Sequence, residues 1–464
     1  MDRPPIRYTQ TLDGLHIAYQ VMGNGPFDLL YTPAAFDTGG WMSNLECAWE
    51  VPELSNFLTA LAGMSRLILF DRRGFGLSDS PPTTDSWSLE LGMDDIRAVL
   101  DAAGSERAVL FGTDEGGALC TLFAASDPGR VSALVLFAVW ATYFSSSDYP
   151  WGWTREQHEA WMQRLESRWG TAEFWEDSAL VGQAGHVSPH VSADPLRVRT
   201  WARYARLSAS RGAALALGHM QAQTDIRAVL PTVTVPTLVM HRLEDTAEPV
   251  GQARYIGEHM PNAEVVELPG DEHAPFAGDT ERVLQELRRF VSAVRDEEAE
   301  LDRVLATVLF TDLVRSTEHV AALGDRAWRE LVERHHKVVR GLLARYRGAE
   351  VDTAGDGFFA TFDGPARAVR CAGAIIDALQ PLGLDVRAGV HTGEVETIDG
   401  KAGGLAVNIG ARVAATAAPR ETLVSSTVKD LTAGSGLEFE DAGPHELKGI
   451  PGMWRLFRVV NGAA

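Results

Sequence analysis

From Arg7 to about residue 290, short apolar runs that stop at turn residues alternate with amphipathic stretches of helical length. The runs are Asp28–Thr32, Arg66–Phe70, Ala108–Phe111, Ala133–Phe137, Thr237–Met240 and Ala263–Leu268, and Leu89–Ala103 is one of the stretches between them. Parallel neighbours need a long crossover, so strand–helix–strand repetition implies a mainly parallel sheet with helices on both faces, an α/β fold. Between about residues 140 and 227 the rhythm breaks. That segment reads as helical, shows no clear buried strand, and holds Trp151, Trp153, Trp161, Trp169, Trp175 and Trp201. An insertion of this kind after a central strand looks like a cap over a pocket, and rings this large pack a cap onto a core before they touch a ligand.

A second pattern starts at Val304. It runs strand (Val304–Phe310), helix (Ser316–Tyr346), hairpin (Glu350–Phe362), helix (Ala366–Leu379), strand (Asp385–His391), helix (Ala406–Ala415) and short strands to Val460. This β-α-β-β-α-β order predicts a ferredoxin-like α+β core with additions. The charged stretch Glu281–Asp302, containing RDEEAELD, has no Pro or Gly, so residues 291–303 read as a helical connector. The expected domains are therefore 1–290, with its cap, and 304–464. At ~150 residues per domain, the chain's 464 residues accommodate two or three.

Bulk composition limits the partners. The formal net charge is −21, whereas nucleic acid and anionic membranes call for a basic face. A nucleotide substrate stays open, because divalent metals supply positive charge locally. Cys47, Cys120 and Cys371 are far apart and form no CxxC pair, which fits a reducing compartment without a zinc site. The start, MDRPPIRYTQ, lacks the apolar run of a signal peptide, and no stretch reaches ~18 consecutive apolar residues. A cytoplasmic protein is expected.

Two carboxylates stand out in the second pattern. Asp312 closes an apolar strand in VLFTDLVRST, and Asp356 sits in the Gly-flanked turn AGDGF. In a ferredoxin-like sheet that strand and that hairpin are neighbours, so the pair makes a hard oxygen site for divalent cations. Two ions there could bind a triphosphate and activate an attacking oxygen. Asn408 and Arg412 lie four apart in VNIGARV, on one face of an expected helix. An arginine fork aimed at a phosphate stabilises charge growing in a transition state, and an asparagine beside it can orient a sugar.

FTDLVRST, TAGDGF, VRAGVHTGEV, VNIGARV and ELKG occur in the order seen in class III adenylyl and guanylyl cyclases, which residues 300–460 resemble with almost no gap. The resemblance implies that Asp312 and Asp356 hold two Mg2+ or Mn2+ ions per site, with Phe310 and Thr311 beside the substrate. It further implies that Asn408 positions the ribose, that Arg412 stabilises the pentavalent phosphorus, and that Lys448 grips the terminal phosphates. One ion would activate the ribose 3′-hydroxyl for in-line attack on the α-phosphorus, and pyrophosphate would leave with the other. Family members take the aspartates from one subunit and the asparagine and arginine from its partner, so a homodimer with two sites is implied. The purine-reading pair departs from the family. Asp352 stands where adenine readers carry lysine, and Lys401 where they carry aspartate. ATP is the expected substrate, with GTP the alternative.

In the first pattern, the strand Ala108–Phe111 runs into GTDEGG and then an apolar helix. With DRRGFGLSD at Asp71–Asp79 and LPGDEHAPF at Leu268–Phe276, residues 5–290 resemble the α/β-hydrolase superfamily, whose nucleophile sits at such a turn. By position Asp114 is the nucleophile, Asp245 in HRLEDTAEPV the acid and His273 the base. A carboxylate attacking an ester gives an anhydride, a poor step. Attacking an sp3 carbon it gives an alkyl ester, which His273 could hydrolyse through water, as in epoxide hydrolases and haloalkane dehalogenases. The dehalogenase tryptophan is replaced by Glu115, Tyr143, Tyr149 and Tyr204 are candidates to protonate an opening ring, and TPAAF (Thr32–Phe36) replaces the usual His-Gly segment. Two readings stay open at this stage: a hydrolase of a small apolar substrate, or a ligand-binding regulator of the cyclase.

Overall fold

Each apolar run of the first pattern forms a strand, and for all but the edge run Ala263–Leu268 the reason is burial on both faces. Residues 29–31, 67–70, 108–113 and 237–242 are buried almost without alternation, as parallel strands covered by helices require. The computed structural model describes residues 3–34, 43–81, 87–176, 195–245, 247–301, 303–398 and 401–461. It divides into two units, Met1–Arg295 and Asp296–Ala464.

The first unit holds β1 (Arg7–Gln10), β2 (His16–Met22), β3 (Asp28–Thr32), β4 (Arg66–Phe70), β5 (Ala108–Thr113), β6 (Val131–Phe137), β7 (Thr237–Arg242) and β8 (Ala263–Leu268) in the order β1-β2-β4-β3-β5-β6-β7-β8. From β4 through β8 the pairs are parallel, while β1 and β2 add an antiparallel edge. The cap supplies helices Arg155–Arg168, Pro195–Ser208 and Arg211–Gln221 between β6 and β7. Trp153, Trp161 and Trp201 are buried, and Trp151 and Trp169 pack half-buried on the same core. Residues 177–194 of the expected cap and the side chain of Trp175 lie outside the described residues.

The expected connector begins too early. Helix Thr280–Leu301 buries Val283, Leu284, Leu287, Phe290, Val291 and Val294 in the first core. Val291 and Val294 continue the i, i+3, i+4 stripe, so the helix stays a packed element of the first unit past residue 290.

The second unit holds β9 (Val304–Leu313), β10 (Ala349–Ala354), β11 (Gly357–Phe362), β12 (Val386–Ile398), β13 (Lys401–Gly403), β14 (Thr422–Ser425), β15 (Glu438–Glu446) and β16 (Met453–Asn461). The order β10-β11-β9-β12 is second-third-first-fourth, the ferredoxin-like arrangement, and β14, β16 and β15 extend it. Helices Ser316–Tyr346 and Pro365–Leu379 bury Val339, Leu343, Val369, Ile375 and Leu379 against one side of it. Helix Leu405–Thr416 lies against β12 and β9, with Ile409 and Val413 buried. It sits close because Gly389 and Gly410 carry no Cβ: one on Gly389 would meet the backbone of Ala414, and one on Gly410 would meet Val308 and Phe310. No described helix is long and apolar enough to cross a membrane.

Candidate active sites

In the first unit β5 passes directly into helix Asp114–Ser126, and Asp114 makes the turn with φ +48°. A non-glycine residue in that region costs of order 1–3 kcal/mol and persists only where its surroundings over-determine it. Here glycines do so. A Cβ on Gly116 would press on the carbonyl oxygens of Thr32 and Pro33, and one on Gly112 would press on Gly117. Gly116→Ala is therefore expected to lower stability by about 1–3 kcal/mol, read as a fall in melting temperature. An unchanged melt would mean that the turn is not held by this packing.

The strained turn presents Asp114 to His273. His273 Nε2 lies 3.0 Å from Asp114 Oδ1, and Nδ1 lies 2.8 Å from Asp245 Oδ2. Asp245 lies in the loop after β7 and His273 in the loop after β8, so three strand ends at the carboxyl edge of the sheet deliver the three groups. Asp114, Asp245 and His273 are all buried. Burial disfavours the imidazolium, but Asp245 and Asp114 outweigh it and raise His273 well above the ordinary imidazole value. The same imidazole holds Asp245 below the usual carboxylate range against its own burial. Glu115 turns away from the site to a buried ion pair with Arg72, 2.9 Å long. The Ala34 amide in the TPAAF segment donates to Thr113 Oγ1 at 3.1 Å, while Ala35 and Phe36 lie outside the described residues.

Sequence reasoning missed a third carboxyl here. Glu248 follows Asp245 by three residues and is only 9% exposed. Burial first, and then the Asp114 carboxylate, push it up to about 8. In the sequence it reads as one more polar residue in a Pro-containing loop, and nothing marks it as buried.

In the second unit, β9 and β11 are hydrogen-bonded neighbours, and helix Leu405–Thr416 crosses above β9 and β12. A cavity of about 440 Å3 opens there, lined by Phe310, Thr311, Asp312, Asp352, Arg387 and Asn408 among others. Phe310 stacks on Phe359 with ring centres 4.5 Å apart. Thr311 Oγ1 is buried with no hydrogen-bond partner among the described residues. Asp312 is bound by a residue the sequence reading did not single out: Arg387 sets Nε 3.0 Å from Asp312 Oδ2 and adds a second bond through Nη2. The two are direct cross-strand partners in the β9–β12 ladder. Knowing that register was the only way to find the pair, because 75 residues separate them.

The expected site residues do not all converge on this cavity. Asp356 occupies the β10–β11 turn and lines a second cavity, with Ser316, Trp328 and Arg329 of the long helix. Its Oδ2 is buried without a hydrogen-bond partner among the described residues. Arg412 shares the exposed face of its helix with Asn408 but does not line the first cavity. Lys448 is exposed in the loop after β15. Lys401 begins β13, pairing with Ile398, and its side chain lies outside the described residues.

Two family models match the chain, an alpha/beta hydrolase fold over residues 55–280 and an adenylate and guanylate cyclase catalytic domain over residues 299–460. A pimeloyl-[acyl-carrier protein] methyl ester esterase of Nitrosomonas europaea is 27% identical over 265 residues, 56% of this chain and 93% of its own. A putative adenylate cyclase 3 of Rhizobium meliloti is 28% identical over 157 residues, 32% of this chain and 27% of its own. A bromoperoxidase from Bacillus anthracis superposes with a TM-score of 0.51 at 22% identity, covering 62% of this chain and all of that one, which is a likeness of fold. The chain is thus an α/β-hydrolase domain followed by a class III adenylate and guanylate cyclase catalytic domain.

Proposed function

We propose that this chain is a homodimeric, metal-dependent adenylyl cyclase that converts ATP into 3′,5′-cyclic AMP and pyrophosphate. The observation that carries the reading is the cavity that gathers Phe310, Thr311, Asp312, Asp352 and Asn408. Asp312 offers that cavity a carboxylate that suits a hard cation, and Asp356, on the β10–β11 turn and lining the second cavity, offers an Oδ2 without a hydrogen-bond partner among the described residues. No group of three or more His, Cys, Asp or Glu side chains gathers there among the described residues, so phosphate oxygens and water are left to complete the coordination, as Mg2+ and Mn2+ prefer. Two such ions would supply the charge that activates the ribose 3′-hydroxyl and holds the departing pyrophosphate.

The remaining work falls to side chains. The stacked pair Phe310 and Phe359 offers an aromatic wall to the purine. Asn408 orients the ribose. Arg387 keeps the Asp312 carboxylate fixed and places a cationic fork beside it. Asn408, Arg412 and Lys448, exposed on their own chain, act in this reading on the nucleotide held by a second copy. Arg412 takes the charge that grows at the α-phosphoryl group, and Lys448 holds the terminal phosphates. Asp352 accepts from the adenine amino group and Lys401 donates to N1. Guanine could meet the same pair through N1–H and O6. The likeness to a putative adenylate cyclase favours ATP.

The test is a rate assay with manganese, offering ATP and GTP side by side. Cyclic AMP is expected in at least about tenfold excess, the discrimination one base-reading contact typically brings. Cyclic GMP in excess would reverse the base assignment, and absence of both products would remove the cyclase reading.

A second activity is favoured by the unbroken hydrogen-bond chain Asp114–His273–Asp245. We assign it to hydrolysis of an epoxide or similar small apolar molecule through an alkyl ester on Asp114. Alkylation neutralises Asp114 and removes one of the two anions that stabilise the His273 imidazolium. The imidazole then gives up its proton and can activate water toward the ester.

A further inference from the structure

We propose that Glu248 is the acid that protonates the leaving oxygen when Asp114 opens an epoxide. The proposal rests on the reading of Asp114 as a nucleophile toward sp3 carbon.

The loop after β7 winds Glu248 around the triad. Asp245 Oδ1 accepts from the backbone N–H of Ala247 at 2.9 Å and of Glu248 at 3.3 Å, while its Oδ2 holds His273. His241 Nε2 lies 2.5 Å from the Glu248 carbonyl oxygen. The side chain is fixed by Gln252, whose Nε2 donates to Oε2 at 2.6 Å and to the carbonyl of Trp151 in the cap at 3.3 Å. Oε1 makes no hydrogen bond among the described residues and is the atom available to carry a proton. The groups that act on this carboxyl are Asp114 from the nucleophile helix, His273 from the loop after β8, Asp245 from its own loop and Gln252 from helix Gly251–His259. Tyr143 and Tyr149 feel its charge from the cap side.

Those tyrosines are two of the three competing donors, and Tyr204, the third, is buried against Trp201. The Tyr143 hydroxyl is 3.1 Å from His158 Nδ1, and the Tyr149 hydroxyl accepts from the Ala141 amide at 3.1 Å. Burial holds both phenols well above their ordinary value, which makes them weak acids. Glu248, at about 8, keeps its proton at neutral pH beside an ionised nucleophile, the division of labour that acid–base pairs of carboxyls need.

The step balances as follows. An Asp114 oxygen bonds to an epoxide carbon, the carbon–oxygen bond of the ring breaks, and the Glu248 proton moves to the released oxygen. The product is a hydroxyalkyl ester on Asp114 and a Glu248 carboxylate. The His273 imidazolium, no longer facing an anion at Asp114, releases its proton to solvent. Neutral His273 then takes a proton from the water that cleaves the ester and is imidazolium again. The diol and the Asp114 carboxylate are freed, and a proton from solvent restores Glu248. Because the acid form is required, alkylation falls as pH rises through about 8.

The experiment follows alkylation of the full-length chain by styrene oxide with intact-mass spectrometry and peptide mapping. His273→Gln is expected to accumulate the adduct on Asp114. The double variant His273→Gln, Glu248→Gln is expected to form it about 100-fold more slowly, with Glu248→Asp recovering part of the loss. Equal rates in the two would overturn the proposal. So would a His273→Gln chain that fails to alkylate while the unmodified chain turns over, because the imidazolium would then be the acid. If the unmodified chain neither alkylates nor turns over, the Asp114 reading itself falls and takes this one with it. Should Glu248→Gln fail to fold, the pH profile of the unmodified chain decides: a decline through about 8 that survives Tyr143→Phe supports Glu248, and a level profile well past that pH overturns it.

Discussion

Replacing Asp312 and Asp356 together by alanine is expected to lower cyclic nucleotide formation at least about a thousandfold while leaving the fold intact. The size follows from the proposed role of these carboxylates as metal ligands. Metal ions stabilise transition-state charge by several kcal/mol, and each 1.36 kcal/mol is tenfold in rate, so removing the oxygen ligands costs roughly three powers of ten. The structural cost is small. Asp312 is about 40% exposed and its partner Arg387 about 31%, so the freed guanidinium returns to water. Half-exposed pairs contribute about 0–1 kcal/mol. Asp356 leaves behind no broken hydrogen bond at Oδ2. Initial rates with manganese and ATP, paired with thermal melts, separate the two effects. A double variant that melts normally and keeps more than about a tenth of its activity would mean that these carboxylates do not hold the metal.

The same two residues show what the sequence could and could not reveal. Asp312 and Asp356 are legible because each ends or turns a strand whose apolar pattern is strong, and the sheet order then follows from the β-α-β-β-α-β sequence of elements. The ends of helix Ser316–Tyr346 were readable too, yet its break at Gly324, with φ +75°, was not, since a single glycine inside a helical pattern is ambiguous. The Asp312–Arg387 pair depends on the register of two strands far apart in the chain. Register is set by how side chains pack across the sheet, which local pattern does not state. Glu248 was hidden for a related reason: its burial comes from the cap and three strand ends meeting over a loop that looks solvated in one dimension. The antiparallel strands β1 and β2 do not stand out in sequence, because they sit beside polar turns and three of the four β1 residues are exposed. In the first unit, resemblance to the α/β-hydrolase superfamily pointed to Asp114, Asp245 and His273, and the structure brings His273 within hydrogen-bond distance of both carboxyls.

An equal mixture of Asp312→Ala and Arg412→Ala chains is expected to recover about a quarter of the unmodified activity, although each variant alone is nearly inactive. The expectation comes from where the side chains point. Asp312 lines the cavity of its own chain, whereas Arg412 stands on the exposed face of helix Leu405–Thr416 and leaves that cavity unlined. If Arg412 acts on a nucleotide held by a second copy, a two-fold dimer has two sites, each taking Asp312 from one chain and Arg412 from the other. In a mixed dimer both defects then fall in one site, and the other site is whole. Random pairing makes about half the dimers mixed, each with one of two sites intact, which gives the quarter. If both residues served the same chain's site, every site in every dimer would carry one defect and mixing would restore nothing. The comparison needs chains mixed after subunit exchange, with total protein held constant and rates read against each variant alone. Mixed samples that stay at the level of the separate variants, while exchange is verified by differently tagged chains, would place Arg412 in its own chain's site and remove the dimer requirement from the proposed mechanism.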